Sequence, residues 1–269
     1  MIRSLLFTPA TRLDRLQKAL SSGADMVILD LEDGVGPSDK SAARAALAEL
    51  ARRGFDGEAG RIGVRINSLG SADGIRDMAA MLDWPAWPSL LAVPKVQSGF
   101  ELRQVQALAG RHPTRLLITL ETALGVARAV AILAEAPRSA IVGYGSADHT
   151  AETGAAMSGA GLAWARGQIV NAAATAGIPA VDGVWLDYGD LGGLETEARL
   201  VKSMGFSGKI AIHPAQVATI NTVFSPTEAE IETARAMVAA SRAAGDGAFS
   251  FNGKMVDAPV LARARRMVD

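Results

Sequence analysis

Short apolar runs alternate with longer amphipathic stretches along most of the chain. The short runs are apolar throughout, which is typical of strands buried on both faces in a parallel sheet covered by helices. Glycine or proline flanks several of these runs and favours strands over helices at this length. The pattern predicts strands at Ser4–Phe7, Met26–Leu29, Gly63–Ile66, Leu90–Val93, Leu116–Leu120, Ala140–Val142, Ala180–Val181 and Ile210–Ile212.

Stretches rich in Ala, Leu and Arg fill most of the gaps between these strands. Their apolar residues recur at spacings of three and four, the pattern of an amphipathic helix. Gly110 and Gly177 follow two of the stretches and match the left-handed residue that commonly ends a helix. The predicted helices are Leu13–Leu20, Asp39–Arg53, Ala72–Leu82, Phe100–Ala109, Gly125–Ala134, Leu162–Ala176 and Leu194–Met204.

The alternation predicts an α/β fold, and eight strand–helix repeats match a (β/α)8 TIM barrel. A doubly wound open sheet is the alternative that the pattern leaves open. The pattern changes after Pro226, where a capping-box-like opening predicts a helix over Thr227–Ala244, followed by a glycine-rich turn and a short helix from Pro259. We therefore expect a barrel domain at 1–225 and a C-terminal helical extension at 226–269, which acts as a closing helix, a lid or a contact with a neighbouring subunit.

Composition narrows the class of protein. The 269 residues include no cysteine, which excludes disulfide frameworks, thiolate metal sites and cysteine nucleophiles. The net charge of −1 argues against a nucleic-acid-binding protein, which normally has a basic excess. No apolar run resembles a signal peptide or reaches the ~18 residues of a membrane span. We expect a cytoplasmic protein with neither nucleic-acid nor membrane partners.

Charged residues lie at or after the ends of successive predicted strands. In barrels of this type the chemistry is built at the C-terminal ends of the strands. Charges gathered there must be paired, solvated or bound to a metal, because burying them alone is costly. The residues are Asp30, Glu32, Asp33, Arg65, Lys95, Glu121, Asp148 and Asp182.

Glu121 and Asp148 follow neighbouring predicted strands and form the most specific pair. Two converging carboxylates suit Mg²⁺, which binds one or two carboxylates and keeps several waters. The alternative is that each carboxylate pairs with a local cation such as Lys95. The sequence leaves both readings open.

Arg65 is the candidate for binding a substrate anion. Its guanidinium could bind a carboxylate or an enolate oxygen through two parallel hydrogen bonds. A salt bridge to Glu32 or Asp33 is the competing interpretation. The acidic cluster of Asp30, Glu32 and Asp33 itself could surround a metal site or cap a loop.

Several segments together resemble one known family. They are RSLLFTPA, DMVILDLEDGV, VRIN, VPKV, TLETALGV, GSADHTAETG, IAIHPAQV and GKMVDAPVL, in that order from Arg3 to near the last residue. The chain resembles the citrate lyase β-subunit-like family (HpcH/HpaI aldolase/citrate lyase), and its stand-alone members most. The resemblance implies a (β/α)8 barrel and a carbon–carbon lyase that uses Mg²⁺, or alternatively Mn²⁺. The implied substrate is a 3-hydroxyacyl-CoA thioester such as malyl-CoA or citramalyl-CoA, cleaved to a 2-keto acid and acetyl-CoA or a homologue.

The resemblance also assigns roles to individual residues. Glu121 in LETA and Asp148 in GSAD match the family's two metal carboxylates. Arg65 in VRIN matches the arginine that holds the keto acid and the developing enolate. Asp257 in GKMVDAP matches an acid/base that a neighbouring subunit contributes in related malyl-CoA lyases. Because family members are usually trimers or larger, a homotrimer or hexamer is expected.

Binding of the thioester and the keto acid is assigned more loosely. Arg15 and Lys18 resemble residues that meet the phosphates of coenzyme A, and Lys40 is a weaker candidate. The remaining candidates for substrate binding, besides Arg65, are Asp30, Glu32, Asp33 and Lys95.

The chain departs from the family pattern near the expected pocket. Ala147 stands where many relatives have Glu, Leu124 where Arg is common, and His149-Thr150 where Leu-Ala or similar is found. These changes leave the metal carboxylates in place but put the pocket wall in doubt. Two other functions also stay open: a CoA-independent aldolase acting on 2-keto-3-deoxy acids, and an obligate β subunit of a citrate lyase complex.

Overall fold

The computed structural model describes residues 2–110, 112–244 and 247–268. These residues form two compact units, which divide between Phe224 and Ser225. In the described part of the first unit, eight parallel strands pair in sequence order and close into a barrel, which confirms the (β/α)8 prediction over the open sheet. The barrel strands are β1 Ser4–Pro9, β2 Met26–Asp30, β3 Ile62–Arg65, β4 Leu90–Val93, β5 Arg115–Leu120, β6 Ile141–Tyr144, β7 Ala180–Asp182 and β8 Gly208–Ala211.

Helices connect the strands of this unit. Among the described residues, no helix has the length and apolar composition needed to cross a membrane. The helices of the first unit are α1 Leu16–Leu20, α2 Lys40–Arg52, α3 Ala72–Leu82, α4 Gly99–Ala109, α5 Ala123–Ala127, α6 Ala129–Leu133, α7 Ser146–Thr153, α8 Gly159–Ala176, α9 Leu191–Met204 and α10 Ala215–Phe224.

Two of the predicted helices are broken in the structure. The prediction over Leu13–Leu20 corresponds to a 3-10 helix, Ala10–Arg15, followed by the short α1. The prediction over Gly125–Ala134 corresponds to α5 and α6, which are separated at Arg128 with φ −97° and ψ 9°. Apolar residues keep their helical spacing across both breaks, so periodicity alone does not reveal them.

Two further helices carry no strong amphipathic signal and were not predicted. α7 has the sequence SADHTAET and a largely polar composition. α10 follows the His-Pro pair at the end of the last barrel strand. α7 matters for function because Asp148 lies in its first turn.

Side chains of the barrel strands alternate between the lumen and the surrounding helices. Leu5, Ile28 and Leu117 belong to the lumen cluster, whereas Val27 and Leu29 pack in the outer layer. Asp30 continues the lumen-facing row of Ile28 by one step of two residues. The strand period therefore places the Asp30 carboxylate at the C-terminal mouth of the barrel.

Asp182 does not lie with the other charged residues predicted at the C-terminal ends of the strands. Because Val181 faces the lumen, the next residue points outward. The Asp182 carboxylate lies 2.9 Å from Arg166 Nε and 2.6 Å from Lys209 Nζ. Lys209 also lies 2.7 Å from Glu197. Burial would raise the pKa of Asp182, but the two cations hold it below its usual range. Asp182 is thus part of a buried ion cluster between the barrel and its outer helices.

The described residues of the second unit form two helices and a hairpin. The capping box predicted at its start is confirmed, because Glu230 N donates to Thr227 Oγ1 and Thr227 N donates to Glu230 Oε2. The segment predicted as a glycine-rich turn contains an antiparallel strand pair, and residues 245 and 246 of that segment lie outside the described residues. The elements are α11 Glu228–Ala244, β9 Phe249–Phe251, β10 Lys254–Val256 and α12 Ala258–Val268.

Candidate active site

A cavity of about 370 Å³ lies at the C-terminal ends of the barrel strands. Its charged wall comes from β2 and β3 and from the segments that follow β5 and β6. Its apolar wall comes from β8, β1 and the segment after β7. The lining includes Phe7, Asp30, Asp33, Arg65, Thr119, Glu121, Asp148, Val184, Leu186, Ile210 and Ile212.

Arg65 is held at the cavity by a bidentate pair with Asp30. These two residues are paired across β2 and β3, so their side chains leave the sheet on the same face. Arg65 Nε lies 2.6 Å from Asp30 Oδ1, and Nη2 lies 2.6 Å from Oδ2. Asp30 also accepts hydrogen bonds from Glu32 N and Gly34 N. The Asp30 carboxylate therefore holds the Arg65 side chain in place and also stabilises the loop that follows β2.

Both interpretations of Arg65 are compatible with its surroundings. Its Nη1 lies 2.9 Å from Glu32 Oε2 and 3.3 Å from Asp33 Oδ2, so the predicted salt bridges exist. The guanidinium nevertheless lines the cavity, and its Cζ lies 5.0 Å from the centroid of the Phe7 ring. Burial alone would lower the pKa of Arg65, but Asp30 and the other carboxylates hold it above its usual range. The side chain is therefore a fixed, permanently charged group beside the cavity.

Lys95 follows β4 and contacts the same acidic cluster. Its ammonium lies 2.6 Å from Glu32 Oε1, 3.2 Å from Asp148 Oδ1 and 3.7 Å from Asp33 Oδ1. Burial would lower the pKa of Lys95, and the hydrogen bond to Glu32 together with the nearby carboxylates raises it overall. The pairing of Asp148 with Lys95 that the sequence left open is thus present in the structure.

Glu121 is the most deeply buried carboxylate of the cavity, with 2% of its surface exposed. Its Oε1 accepts a hydrogen bond of 2.7 Å from the backbone N–H of Lys95. A side chain at position 145 would collide with the Glu121 carboxylate, so Gly145 provides the space that Glu121 occupies. Burial raises the pKa of Glu121 to about 8, and the charges of Glu32 and Asp148 act in the same direction.

Carboxylates outnumber cations in this part of the structure. Burial likewise raises the pKa of Glu32, whose Oε2 lies 2.9 Å from Arg65 Nη1 but receives no hydrogen bond of good geometry. Among the described residues, the cluster contains Arg65 and Lys95 against Asp30, Glu32, Asp33, Glu121 and Asp148. The excess negative charge favours binding of a further cation.

The donor set fits a hard divalent cation. No group of three or more His, Cys, Asp or Glu residues that could hold a metal occurs within 2–110, 112–244 and 247–268. Glu121 and Asp148 nevertheless share one cavity. Mg²⁺ is commonly bound through one or two carboxylates, with waters and substrate oxygens completing its shell. A divalent cation would also offset the charge that makes ionisation of Glu121 unfavourable.

Lys40, a candidate contact for the phosphates of coenzyme A, is hydrogen-bonded within the protein. Its ammonium donates to Leu31 O at 2.8 Å, Glu32 O at 2.9 Å and Asn67 Oδ1 at 2.6 Å. These bonds use the three N–H groups of the ammonium. Lys40 therefore connects the loops that follow β2 and β3, and its contact with coenzyme A stays a prediction.

The remaining site candidates are Arg15, Lys18 and Asp257. Arg15 and Lys18 are exposed in the segment after β1 and are not part of the cavity lining. Asp257 belongs to the second unit, where its Oδ1 accepts a hydrogen bond of 3.3 Å from Val260 N at the start of α12. Their assigned functions stay predictions.

The apolar wall of the cavity and some supporting residues were not predicted from the sequence. Ile210 and Ile212 both line the cavity. They are two residues apart, the spacing that places strand side chains on one face, and this spacing is visible in the sequence. Of the departures from the family pattern, Ala147 does lie in the cavity wall. His149 is instead buried, with its Nδ1 3.0 Å from the Tyr144 hydroxyl. Tyr144 and His149 were not recognisable as a pair from the sequence.

Comparison with known families supports one relationship over the full chain. Residues 3–214 match the family model described as HpcH/HpaI aldolase/citrate lyase. Residues 162–268 match a second model, described as a C-C bond lyase of the TIM-barrel fold. Together the two matches cover the barrel and the second unit.

Individual relatives agree with the family models. A citrate lyase subunit beta-like protein of Deinococcus radiodurans is 39% identical, over 100% of this chain and 96% of the relative. An L-malyl-CoA/beta-methylmalyl-CoA lyase of Cereibacter sphaeroides is 35% identical, over 99% and 93%. The crystal structure of CitE from Mycobacterium tuberculosis in complex with magnesium, acetoacetate and coenzyme A is 36% identical, with a TM-score of 0.81 over 99% of this chain and 96% of that one.

Proposed function

Because the chain belongs to the HpcH/HpaI aldolase/citrate lyase family and is a carbon–carbon lyase, we propose that it cleaves a 3-hydroxyacyl-CoA thioester of the malyl-CoA or citramalyl-CoA kind. The products are a 2-keto acid and acetyl-CoA or a homologue, in a reversible aldol- or Claisen-type reaction. One observation carries the proposal: Glu121, Asp148 and the guanidinium of Arg65 line a single cavity. The malyl-CoA lyase relative and the coenzyme A in the CitE complex support the thioester.

The proposed metal ligands are Glu121 and Asp148, which would hold Mg²⁺, with Mn²⁺ as an alternative ion. When bound, the ion would act as a Lewis acid toward substrate oxygens. The raised pKa of Glu121 and the excess of carboxylates support this assignment. So does the magnesium bound in the CitE complex.

Arg65 stabilises the charge that develops during cleavage. The 3-hydroxyl group would lose its proton to solvent water, and its oxygen would become the keto oxygen of the released 2-keto acid. The adjacent carbon–carbon bond would break, with its electron pair passing to the thioester as an enolate. Because Arg65 lines the cavity with a permanent positive charge, it lowers the energy of that enolate. Asp30 and Glu32 keep the guanidinium in place, which leaves Asp33 and Lys95 as the candidates for direct contact with the substrate.

Asp257 is the proposed acid that protonates the enolate carbon, acting from a neighbouring subunit. In the direction of condensation the same carboxylate would remove that proton. This role requires a homo-oligomer, for which we propose a trimer or hexamer. Arg15 and Lys18, being exposed after β1, are the proposed contacts for the phosphates of coenzyme A, and we place the enzyme in the cytoplasm.

The function is tested with a panel of 3-hydroxyacyl-CoA thioesters and free 2-keto-3-deoxy acids, with Mg²⁺ present. We expect release of a 2-keto acid from a thioester, and a loss of about a hundredfold or more in rate after chelation of the metal. A Glu121→Gln/Asp148→Asn double variant should match the chelated enzyme. Glu195→Gln, which removes an exposed carboxylate on α9, should retain full activity. Cleavage of free keto-deoxy acids alone, or full activity after chelation, would contradict the proposal.

Metal binding should depend on pH. Because burial raises the pKa of Glu121 to about 8, this carboxyl holds a proton at neutral pH that the cation must displace. Mg²⁺ affinity is therefore expected to fall about tenfold for each pH unit below that pKa, and to level off above it. Isothermal titration calorimetry of the metal-free protein across this range measures the slope. An affinity independent of pH, with normal binding, would show that Glu121 is already ionised.

A further inference from the structure

Lys95 has an unusual backbone conformation that serves Glu121. Its φ of 54° lies in the left-handed region, which residues other than glycine rarely adopt. In this conformation its backbone N–H donates to Glu121 Oε1 at 2.7 Å. The main chain of Lys95 thus fixes one of the two proposed metal ligands.

The side chain of Lys95 contacts the other proposed ligand. Its ammonium lies 3.2 Å from Asp148 Oδ1 and 2.6 Å from Glu32 Oε1. The side chain is 30% exposed, and Asp148 is 35% exposed. An ammonium in this position already neutralises part of the charge that a metal ion would neutralise.

Arg65 does not share this position. In the part of the chain that the structure describes, the ion pairs of Arg65 are made with Asp30, Glu32 and Asp33, and none is made with Glu121 or Asp148. Lys95 is therefore the cation that touches both proposed ligands, through its main chain in one case and its side chain in the other.

We propose that Lys95 is a positioning residue that sets the affinity of the cation site: its N–H holds Glu121, and its ammonium competes with the metal ion for Asp148. This inference rests on the proposed function, in which these two carboxylates bind Mg²⁺. Repulsion between two positive charges a few ångströms apart is strong, even with partial solvent screening. When a metal ion binds, the ammonium keeps Glu32 as a partner, so it needs only to withdraw from Asp148. The competing ammonium keeps the bound ion exchangeable.

The inference predicts tighter metal binding when the ammonium is removed. Full-length protein is stripped of metal, and Mn²⁺ and Mg²⁺ affinities are measured by electron paramagnetic resonance and calorimetry at one alkaline pH. Lys95→Met should bind either ion about tenfold more tightly or more. Lys95→Gly removes the ammonium and suits a left-handed backbone, so it should bind as tightly as Lys95→Met and also report on any folding defect of the latter.

Two further variants serve as controls. Lys95→Arg keeps a positive charge and should bind metal with about the wild-type affinity. Arg199→Met makes the same change in charge at an exposed helical position on α9 and should leave metal affinity unchanged. Equal or weaker metal binding by both Lys95→Met and Lys95→Gly, with normal binding by the wild type, would overturn the inference about Lys95 and leave the proposed metal ligands standing. Failure of the wild type to bind either ion would overturn the metal assignment in the proposed function, and the inference with it.

Discussion

An Arg65→Lys variant is expected to cleave the thioester about 10²- to 10³-fold more slowly than the wild type, with most of the loss in kcat. Lysine keeps the positive charge but lacks the planar guanidinium that pairs with both oxygens of Asp30. Its ammonium would pair with the carboxylates of the cluster and would not be held in a fixed orientation toward the enolate. The predicted effect is therefore on the transition state more than on binding of the thioester.

Steady-state kinetics with the best thioester from the panel measure this effect, and metal affinity provides an internal control. No ion pair joins Arg65 to Glu121 or Asp148 among the described residues, so Arg65→Lys should bind Mg²⁺ almost normally. Arg103→Lys, at an exposed pair with Glu135, is the matched substitution away from the site. A kcat within tenfold of the wild type would refute the proposed role of Arg65.

Lysine is preferable to alanine at this position because of what surrounds the guanidinium. Asp30 and Glu32 are both buried and both paired with Arg65. Removing the guanidinium would take from Asp30 the cation it pairs with and leave Glu32 with Lys95. Breaking a buried pair in this way typically costs about 3–5 kcal/mol. Loss of activity in Arg65→Ala would therefore mix a folding defect with a catalytic one.

The barrel itself was predictable from sequence because its strands are buried on both faces. Runs such as Met26–Leu29 and Leu90–Val93 have no polar alternation, and this continuity distinguishes them from exposed strands. Their order then follows from the rule that strand and helix alternate in parallel barrels. The breaks between Arg15 and Leu16 and at Arg128 were not predictable, because the backbone changes there without any change in apolar spacing.

The site was predictable to the extent that it depends on strand ends. Asp30, Arg65 and Glu121 line one cavity because they lie at or just after the C-terminal ends of barrel strands. The same rule failed for Asp182, because a shift of one residue along a strand moves a side chain to the opposite face. Its partner Lys209 lies far away in the sequence, so the buried pair becomes visible only in the folded chain.

Lys40 shows a different limit of sequence reasoning. A lysine beside an expected phosphate path is compatible with binding that phosphate. It is equally compatible with donating hydrogen bonds to backbone carbonyls, as Lys40 does to Leu31 and Glu32. Composition and spacing do not distinguish the two uses, because both place the ammonium within a few residues of the same loop.

Asp257→Asn should lower the rate of cleavage by about 10²- to 10⁴-fold, the usual contribution of a general acid or base. Asparagine keeps the side-chain oxygen that accepts the hydrogen bond from Val260 N, and it is as good a helix cap as aspartate. The start of α12 should therefore be preserved, and thermal unfolding should be close to that of the wild type. Loss of activity would then reflect loss of an ionisable group. Wild-type activity would exclude Asp257 from the chemistry.

Mixing inactive protomers tests whether Asp257 acts on a neighbouring subunit. Asp257→Asn and Glu121→Gln protomers are each inactive alone, but a shared site formed from one of each contains an intact Glu121 and an intact Asp257. With random assembly from equal amounts, about a quarter of the sites in a closed ring would combine the two intact residues. Differently tagged protomers, co-purified to verify mixed oligomers, should recover activity near that fraction. If the site were built within one chain, every protomer would still carry a defect, and verified mixed oligomers would remain inactive.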